Sequence, residues 1–208
     1  MTLDSLLAWR GLACALVLGS AIVPAACVRV KHTDLKPLDD AGFSYSSLQQ
    51  IEQLEPTKEE VAELVKTSQA GVSEAACVQL LQVARGQKRH FAEGEAVAGL
   101  HAASLADATI LELARLRQIE SWWGEAQAIR LTGISDRVIL VVAQRRAAGQ
   151  AVPSGVSLAH LKDAGVSEAT LVELLSRGMT DSDAESVVWR KKQHWTDDQI
   201  LRDYPAKS

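Results

Sequence analysis

The chain predicts an all-α protein: an irregular array of short helix–turn–helix units behind an N-terminal signal and linker. Three observations carry this. A four-residue turn signal recurs through the chain. Apolar residues between the turns step by three and four, with no convincing period-two strand. The N-terminal stretch is apolar, uncharged and ends in small residues.

The N-terminal stretch is read first. Arg10 precedes an apolar run from Gly11 to Val28 that closes on Val23, Pro24, Ala25, Ala26 and Cys27. A positive flank, a short apolar stretch and a small-residue exit are the parts of a secretory signal. The run also approaches the length of a membrane span, with Arg29 and Lys31 beyond it. Three outcomes stay open: cleavage after Ala25, lipidation, or an uncleaved anchor. Pro24-Ala25-Ala26-Cys27 resembles the lipobox of bacterial lipoproteins, with Pro24 where Leu is usual. The resemblance implies that Cys27 becomes a lipidated first residue. Residues 1–27 are thus assigned to the signal. Residues 28–42, with Lys31, Asp34, Lys36, Pro37, Asp39 and Asp40, read as a linker, and 43–204 as the helical repeat domain. Cys77 lies in an apolar helical stretch. It is expected to be a small buried hydrophobe if Cys27 is lipidated, or a disulfide partner of Cys27 if it is not.

The turn signal reads Gly71-Val72-Ser73-Glu74, Gly133-Ile134-Ser135-Asp136, Gly165-Val166-Ser167-Glu168 and Gly178-Met179-Thr180-Asp181, with a degenerate copy at Ser104-Leu105-Ala106-Asp107. Glycine ends one helix in the left-handed conformation. The apolar residue tucks beneath the turn, and the hydroxyl caps the next helix. The acid sits in the first turn, where the helix dipole favours negative charge. Gly71, Ser73, Gly133, Ser135, Gly165, Ser167, Gly178 and Thr180 are therefore expected to be structural turn residues. Thr57 with Glu60 predicts a capping box, and Thr196-Asp197-Asp198 starts a last short helix. Val138-Ile139-Leu140-Val141-Val142 is β-branched but lies in a capped helical segment, so it is read as helix. The first four joints recur at a spacing typical of helical repeats, and the last comes one helix later. Pro153-Ser154-Gly155 is the best candidate for an internal break.

Two resemblances follow. Leu161 to Leu171, with Ala164-Gly165-Val166-Ser167 at its centre, looks like the helix–turn–helix of lactose-repressor-type regulators. That would make Ser167, Glu168, Ala169 and Thr170 the start of a DNA-reading helix. The acidic starts Glu74, Asp136, Glu168 and Asp181 would repel phosphates, and a net charge of −4 gives no general nucleic-acid footprint. No nucleic-acid partner is expected. Segments such as Leu131 to Leu140 look like the short helical repeats of uncharacterised bacterial envelope and lipoprotein-like proteins. This implies a helical array at the cell envelope and transfers no catalytic residue.

Chemistry-bearing patterns are sparse. The histidines 32, 90, 101, 160 and 194 have no partner at helical ligand spacing, and no Cys-x-x-Cys or His-Glu-x-x-His occurs. No cofactor is expected and the chain is read as non-enzymatic. The partner is expected to be another envelope protein, with the membrane reached through a lipid or N-terminal anchor. Of the adjacent Trp122 and Trp123, one should be core and the other partly exposed. Trp189 and Trp195 flank Arg190-Lys191-Lys192. That cluster meets anionic lipid or a partner helix on one reading; on the favoured one, Trp packs inward and Lys is solvated.

Overall fold

A computed structural model describes residues 33–204, and within them every regular element is a helix. The twelve are α1 (Lys36–Asp40), α2 (Tyr45–Gln53), α3 (Lys58–Gln69), α4 (Glu74–Gly86), α5 (Gly94–Ala102), α6 (Asp107–Arg115), α7 (Ile119–Leu131), α8 (Asp136–Ala147), α9 (Gly155–Asp163), α10 (Glu168–Ser176), α11 (Asp181–Lys192) and α12 (Asp197–Asp203). Each packs mainly on the helix two places further along, α3 on α5, α4 on α6, and so to α12. Odd helices thus form one layer and even helices the other. No helix among the described residues is long and apolar enough to cross a membrane.

The apolar stripes explain the layers. None of these helices exceeds 13 residues, too short to be stable alone in water, so each depends on burying one face. Leu38, Leu64, Leu81, Leu100, Leu113, Ile139, Leu158, Leu174, Val187 and Ile200 are sealed from solvent in a single core running the length of the array. Cys77 is part of it. Burial, then the nearby charges of Asp107 and Glu74, push its thiol up to about 12, so it serves as a small hydrophobe. Val138 to Val142 is helical, inside α8.

The joints are uniform. Twelve helices leave eleven joints, and each holds one residue of positive φ: Gly42, Glu55, Gly71, Lys88, Ser104, Arg117, Gly133, Gly149, Gly165, Gly178 and His194. Most end in the paired Schellman bonds. Val166 N–H donates to Leu161 C=O at 3.1 Å and Gly165 N–H to Lys162 C=O at 2.8 Å, for example. The joints fall into two interleaved series. Odd-to-even joints lie at 42, 71, 104, 133, 165 and 194; even-to-odd joints lie at 55, 88, 117, 149 and 178. Steps within each series run from 29 to 33 residues. The uneven spacing in the sequence arises because Gly178 belongs to the second series while Gly71, Gly133 and Gly165 belong to the first.

Two boundaries differ from expectation. The linker expected over 28–42 gives way at Lys36 to α1, where Pro37 opens the helix and Leu38 is fully buried. A short polar helix with one apolar residue shows no periodicity, which is why it reads as linker. The expected break at Pro153-Ser154-Gly155 is an ordinary even-to-odd joint. Pro153 is buried, Ser154 caps α9, and packing of α7 on α9 and α8 on α10 runs past it. The signal and Cys27 lie outside the described residues.

A positive φ costs a side-chain-bearing residue about 1–2 kcal/mol that glycine does not lose. Lys88→Gly and Arg117→Gly should each raise the urea midpoint, by about 0.5–1 kcal/mol. Gly71→Ala should lower it by at least about 1 kcal/mol. Gly71 has φ +97°, and a Cβ there would stand 3.2 Å from His101 Cε1. Equilibrium unfolding of the three variants checks the sign of each.

Candidate functional site

The tetrads do more than turn the chain. In four odd-to-even joints the first-turn acid reaches back and accepts the N-cap backbone N–H of the previous even helix. Glu74 takes Ser44 N–H at 3.0 Å, Asp107 takes Ser73 at 3.1 Å, Asp136 takes Ala106 at 2.9 Å and Asp197 takes Ser167 at 3.0 Å. Each carboxylate thus lies between two helix N-termini, where both dipoles favour it. The even-to-odd edge repeats the device once, with Asp181 accepting Ser154 N–H at 2.8 Å.

Three residues before each joint, the odd helices from α5 onward carry a nitrogen donor. His101 Nδ1 lies 3.1 Å from Ala70 C=O, Arg130 donates to Ser104 C=O at 3.3 Å, and Lys162 donates to Thr132 C=O. These carbonyls end the preceding odd helix, at its negative pole. The same side chains approach the acids. Arg130 is 3.3 Å from Asp136, and Lys191 is 2.9 Å from Asp197. The complete repeat signature is therefore a cation, two residues, the left-handed residue, a hydrophobe, a hydroxyl and an acid.

Gly71, Gly133, Gly165 and Gly178 all take the left-handed conformation, and Ser73 and Ser167 cap α4 and α10 as expected. One cap is corrected: Ser135 makes no capping bond, and its Oγ is buried without a partner. Thr180 caps α11 through a capping box with Asp183, which accepts both its N–H and its hydroxyl. Glu168 stays exposed and is the one odd-to-even acid among the described residues for which no such stitch is seen. The DNA-reading resemblance meets an obstacle at the same place. Ser167 N–H and Thr170 Oγ both donate to Asp197, which puts a second carboxylate at the start of α10.

The most deeply buried carboxylate in an ion pair among the described residues is Glu60, held by Arg85. Arg85 grips both carboxylate oxygens at 2.6 Å, and Glu60 also accepts Thr57 N–H at 2.7 Å and Phe91 N–H at 3.0 Å. Arg85 further donates to Leu54 and Glu55 C=O, so the pair binds two joints together. Burial pushes the Glu60 carboxyl up; the bonds from Arg85, Thr57 and Phe91 outweigh it and bring the carboxyl down to about 2. The open cleft beside it, about 490 Å³, is lined by Arg85, Lys88, Arg89 and His90 with Glu55. Arg85 and Arg89 already hold Glu60 and Glu93, so its cationic character is largely neutralised.

The tryptophans separate as predicted at α7 and in the opposite sense at α11. Trp122 is buried, donates to Glu125 at 2.7 Å and stacks under Arg146 at 5.4 Å. Trp123 is half-buried against α5, where a Cβ on Gly99 would come within 2.8 Å of its ring. At α11, Arg190 pairs with Asp203 at 2.6 Å and lies 5.4 Å over Trp195, while Lys191 holds Asp197. Two of the three basic residues are therefore spent inside the fold. Trp189 is 60% exposed instead of packed inward, and Val156 on α9 is 66% exposed. Beside Trp189 runs a cleft of about 170 Å³ lined by Ser157, His160, Ala184, Glu185, Val188, Trp189 and Lys192. Counted from the joints, His160 and Ala184 stand where Gly99 and Trp123 stand in the α5–α7 pair. A large residue replaces the small one and a small one the ring, so the outer groove that Trp123 fills there stays open here.

No family model matches the chain, and no curated protein or solved structure matches it. Among the described residues no group of three metal-binding side chains converges.

The depressed carboxyls fix the acid limit. A carboxyl held below its unfolded value contributes stability above that value and loses it as pH falls through the folded one. Glu60 contributes about 3 kcal/mol at neutral pH by its shift from 4.5 to about 2. Glu74, bonded first by the Ser44 hydroxyl, and Asp181, bonded first by Ser157, shift the same way. The urea midpoint should stay level from pH 7 to 5 and fall from about pH 4.5 toward 2. Glu60→Gln should lower it at pH 7 by about 3 kcal/mol, since it leaves the Arg85 charge unpaired, and should flatten the acid limb.

Proposed function

We propose that the chain is a non-enzymatic protein-interaction module of the cell envelope. In this reading it is exported on the apolar N-terminal run, held to the membrane through a lipid on Cys27, and docks protein on the outer face of α9 and α11. The observation that carries the docking reading is Trp189. An exposed tryptophan beside an unfilled groove is the composition of a binding hot spot. The fold itself gives Trp189 no task, since α11 buries Ala184 and Val187 and anchors itself through Arg190 and Lys191.

The electrostatics support a structural role for the titratable groups. The carboxyls of clearly lowered affinity for protons at Glu60, Glu74, Asp181 and Asp197 each hold backbone N–H groups of their own or a neighbouring helix. Perturbed carboxyls elsewhere often mark catalysis, but here packing accounts for the perturbation. Export is supported by the N-terminal run alone.

Two measurements test the reading. Mass spectrometry of the mature N-terminus should show a diacylglyceryl mass on Cys27; an intact Met1 on chain recovered from the cytoplasm would overturn the envelope assignment. A photo-crosslinking residue at 189 should give a protein adduct in living cells, and the same residue at Ser176 on the even layer should not. Adducts from 176 alone would place the docking face elsewhere.

A further inference from the structure

The outer stripe of α11 is self-complementary. Glu185, Trp189 and Lys192 lie four and three residues apart, so they share one face of the helix. All three are exposed and line the α9–α11 cleft. Trp189 stands at the centre, with an acid toward the N-terminus and a cation toward the C-terminus. Arg190 and Lys191 are paired within the fold, whereas neither Glu185 nor Lys192 enters an ion pair among the described residues.

A two-fold axis through Trp189, perpendicular to α11, would lay a second α11 antiparallel on the first. It would bring Glu185 of each copy against Lys192 of the other, and the two tryptophans would meet at the centre. A two-fold contact uses one patch twice and so is served by such a pattern, with opposite charges four and three residues to either side of an apolar centre. A foreign partner places no demand on the order of charges. We propose that the occupant of the α9–α11 face is a second copy of this chain, docked antiparallel about Trp189. The proposal rests on the interaction reading above and names its partner.

The size of the face sets the strength. α11 has 12 residues, about 18 Å of helix, and α9 lies beside it at the usual helix spacing of about 9 Å. Two such faces bury on the order of 800–1,000 Å² in all, the low end for specific association. A face of that size suits a weak, reversible dimer rather than an obligate one.

Sedimentation velocity of the full-length chain from about 1 to 500 µM tests it. The unsubstituted chain should pass from monomer to dimer across that range. E185K and K192E should each weaken the dimer at least tenfold, because each places like charges together twice. The double variant E185K/K192E should recover to within about threefold of the original, because the swapped pairs are again opposite. Circular dichroism of each variant should be unchanged, since these side chains serve no contact within the fold. A chain that stays monomeric to 500 µM, single swaps without effect, or a double swap without recovery would each overturn the proposal. The crosslinker at position 189 separates this failure from that of the interaction reading. An adduct of two identical chains supports self-association. An adduct with a different protein overturns it and leaves the docking face standing, and no adduct overturns both.

Discussion

The array depends on a carboxylate placed between two helix N-termini. A helix begins with N–H groups that have no partner within it, and the N-cap residue adds another. Here the hydroxyl of the cap serves one of them, and the acid of the next repeat serves the N-cap itself, as Asp136 does for Ala106 and Asp197 for Ser167. One side chain thus satisfies its own helix and its neighbour's. The reciprocal bond lies on the other layer, where Arg130 and Lys162 close the C-terminal carbonyls of the preceding helix. Apolar burial supplies most of the attraction between repeats but is indifferent to small slips along the helix axis. Charge-assisted bonds at fixed positions are directional, and they set the register.

The device that borrows from the following repeat gives way to local capping in the last two described helices. In α11–α12 both N-caps serve themselves. Thr180 N–H goes to Asp183 at 2.8 Å, and Thr196 N–H to Gln199 at 2.8 Å. Inner caps such as Ser44, Ser73, Ser154 and Ser167 donate forward instead. The capping box, common as a local helix start, is used here at the end of the array and at Thr57, where Glu60 is bound up with Arg85. The one inner step of the even layer for which no forward stitch is seen is α8 to α10, where Glu168 turns to solvent and Ser135 Oγ is unpartnered. In an array whose stability is a sum of neighbouring interfaces, that step leans on Lys162 with Thr132 and on Arg145 with Leu175 and Met179.

The glycine tetrads were legible because glycine, hydroxyl and acid each have a local reason to stand where they do. The joints at Glu55, Lys88, Arg117 and His194 were not, because tertiary packing forces the left-handed conformation on residues with no preference for it. That is also why one series of joints looked irregular: three of the five joints of the second series carry no glycine. The acids were read as dipole partners of their own helices, which is correct and incomplete. Their second bond spans about thirty residues, and no local pattern encodes it. The nitrogen donor three places before the joint becomes visible only when the repeats are aligned by the structure, since His101, Arg130, Lys162 and Lys191 are drawn from three residue types.

Trp189 marks the other limit of sequence reasoning. Phase around a helix is read from its apolar stripe, and α11 buries only Ala184 and Val187. With so narrow a stripe, Val188 and Trp189 look as well suited to the core as their neighbours, and the basic run beyond them looks free. Packing reverses both assignments: Arg190 and Lys191 turn inward to Asp203 and Asp197, and Trp189 turns out. The reversal has a physical origin. α11 carries Lys191 where α7 carries Arg130, three residues before the joint, and its bond to Asp197 sets the turn of the helix and with it the position of Trp189. The same contact that holds α11 to α12 therefore presents the exposed ring, on a stripe whose charges are left over from folding.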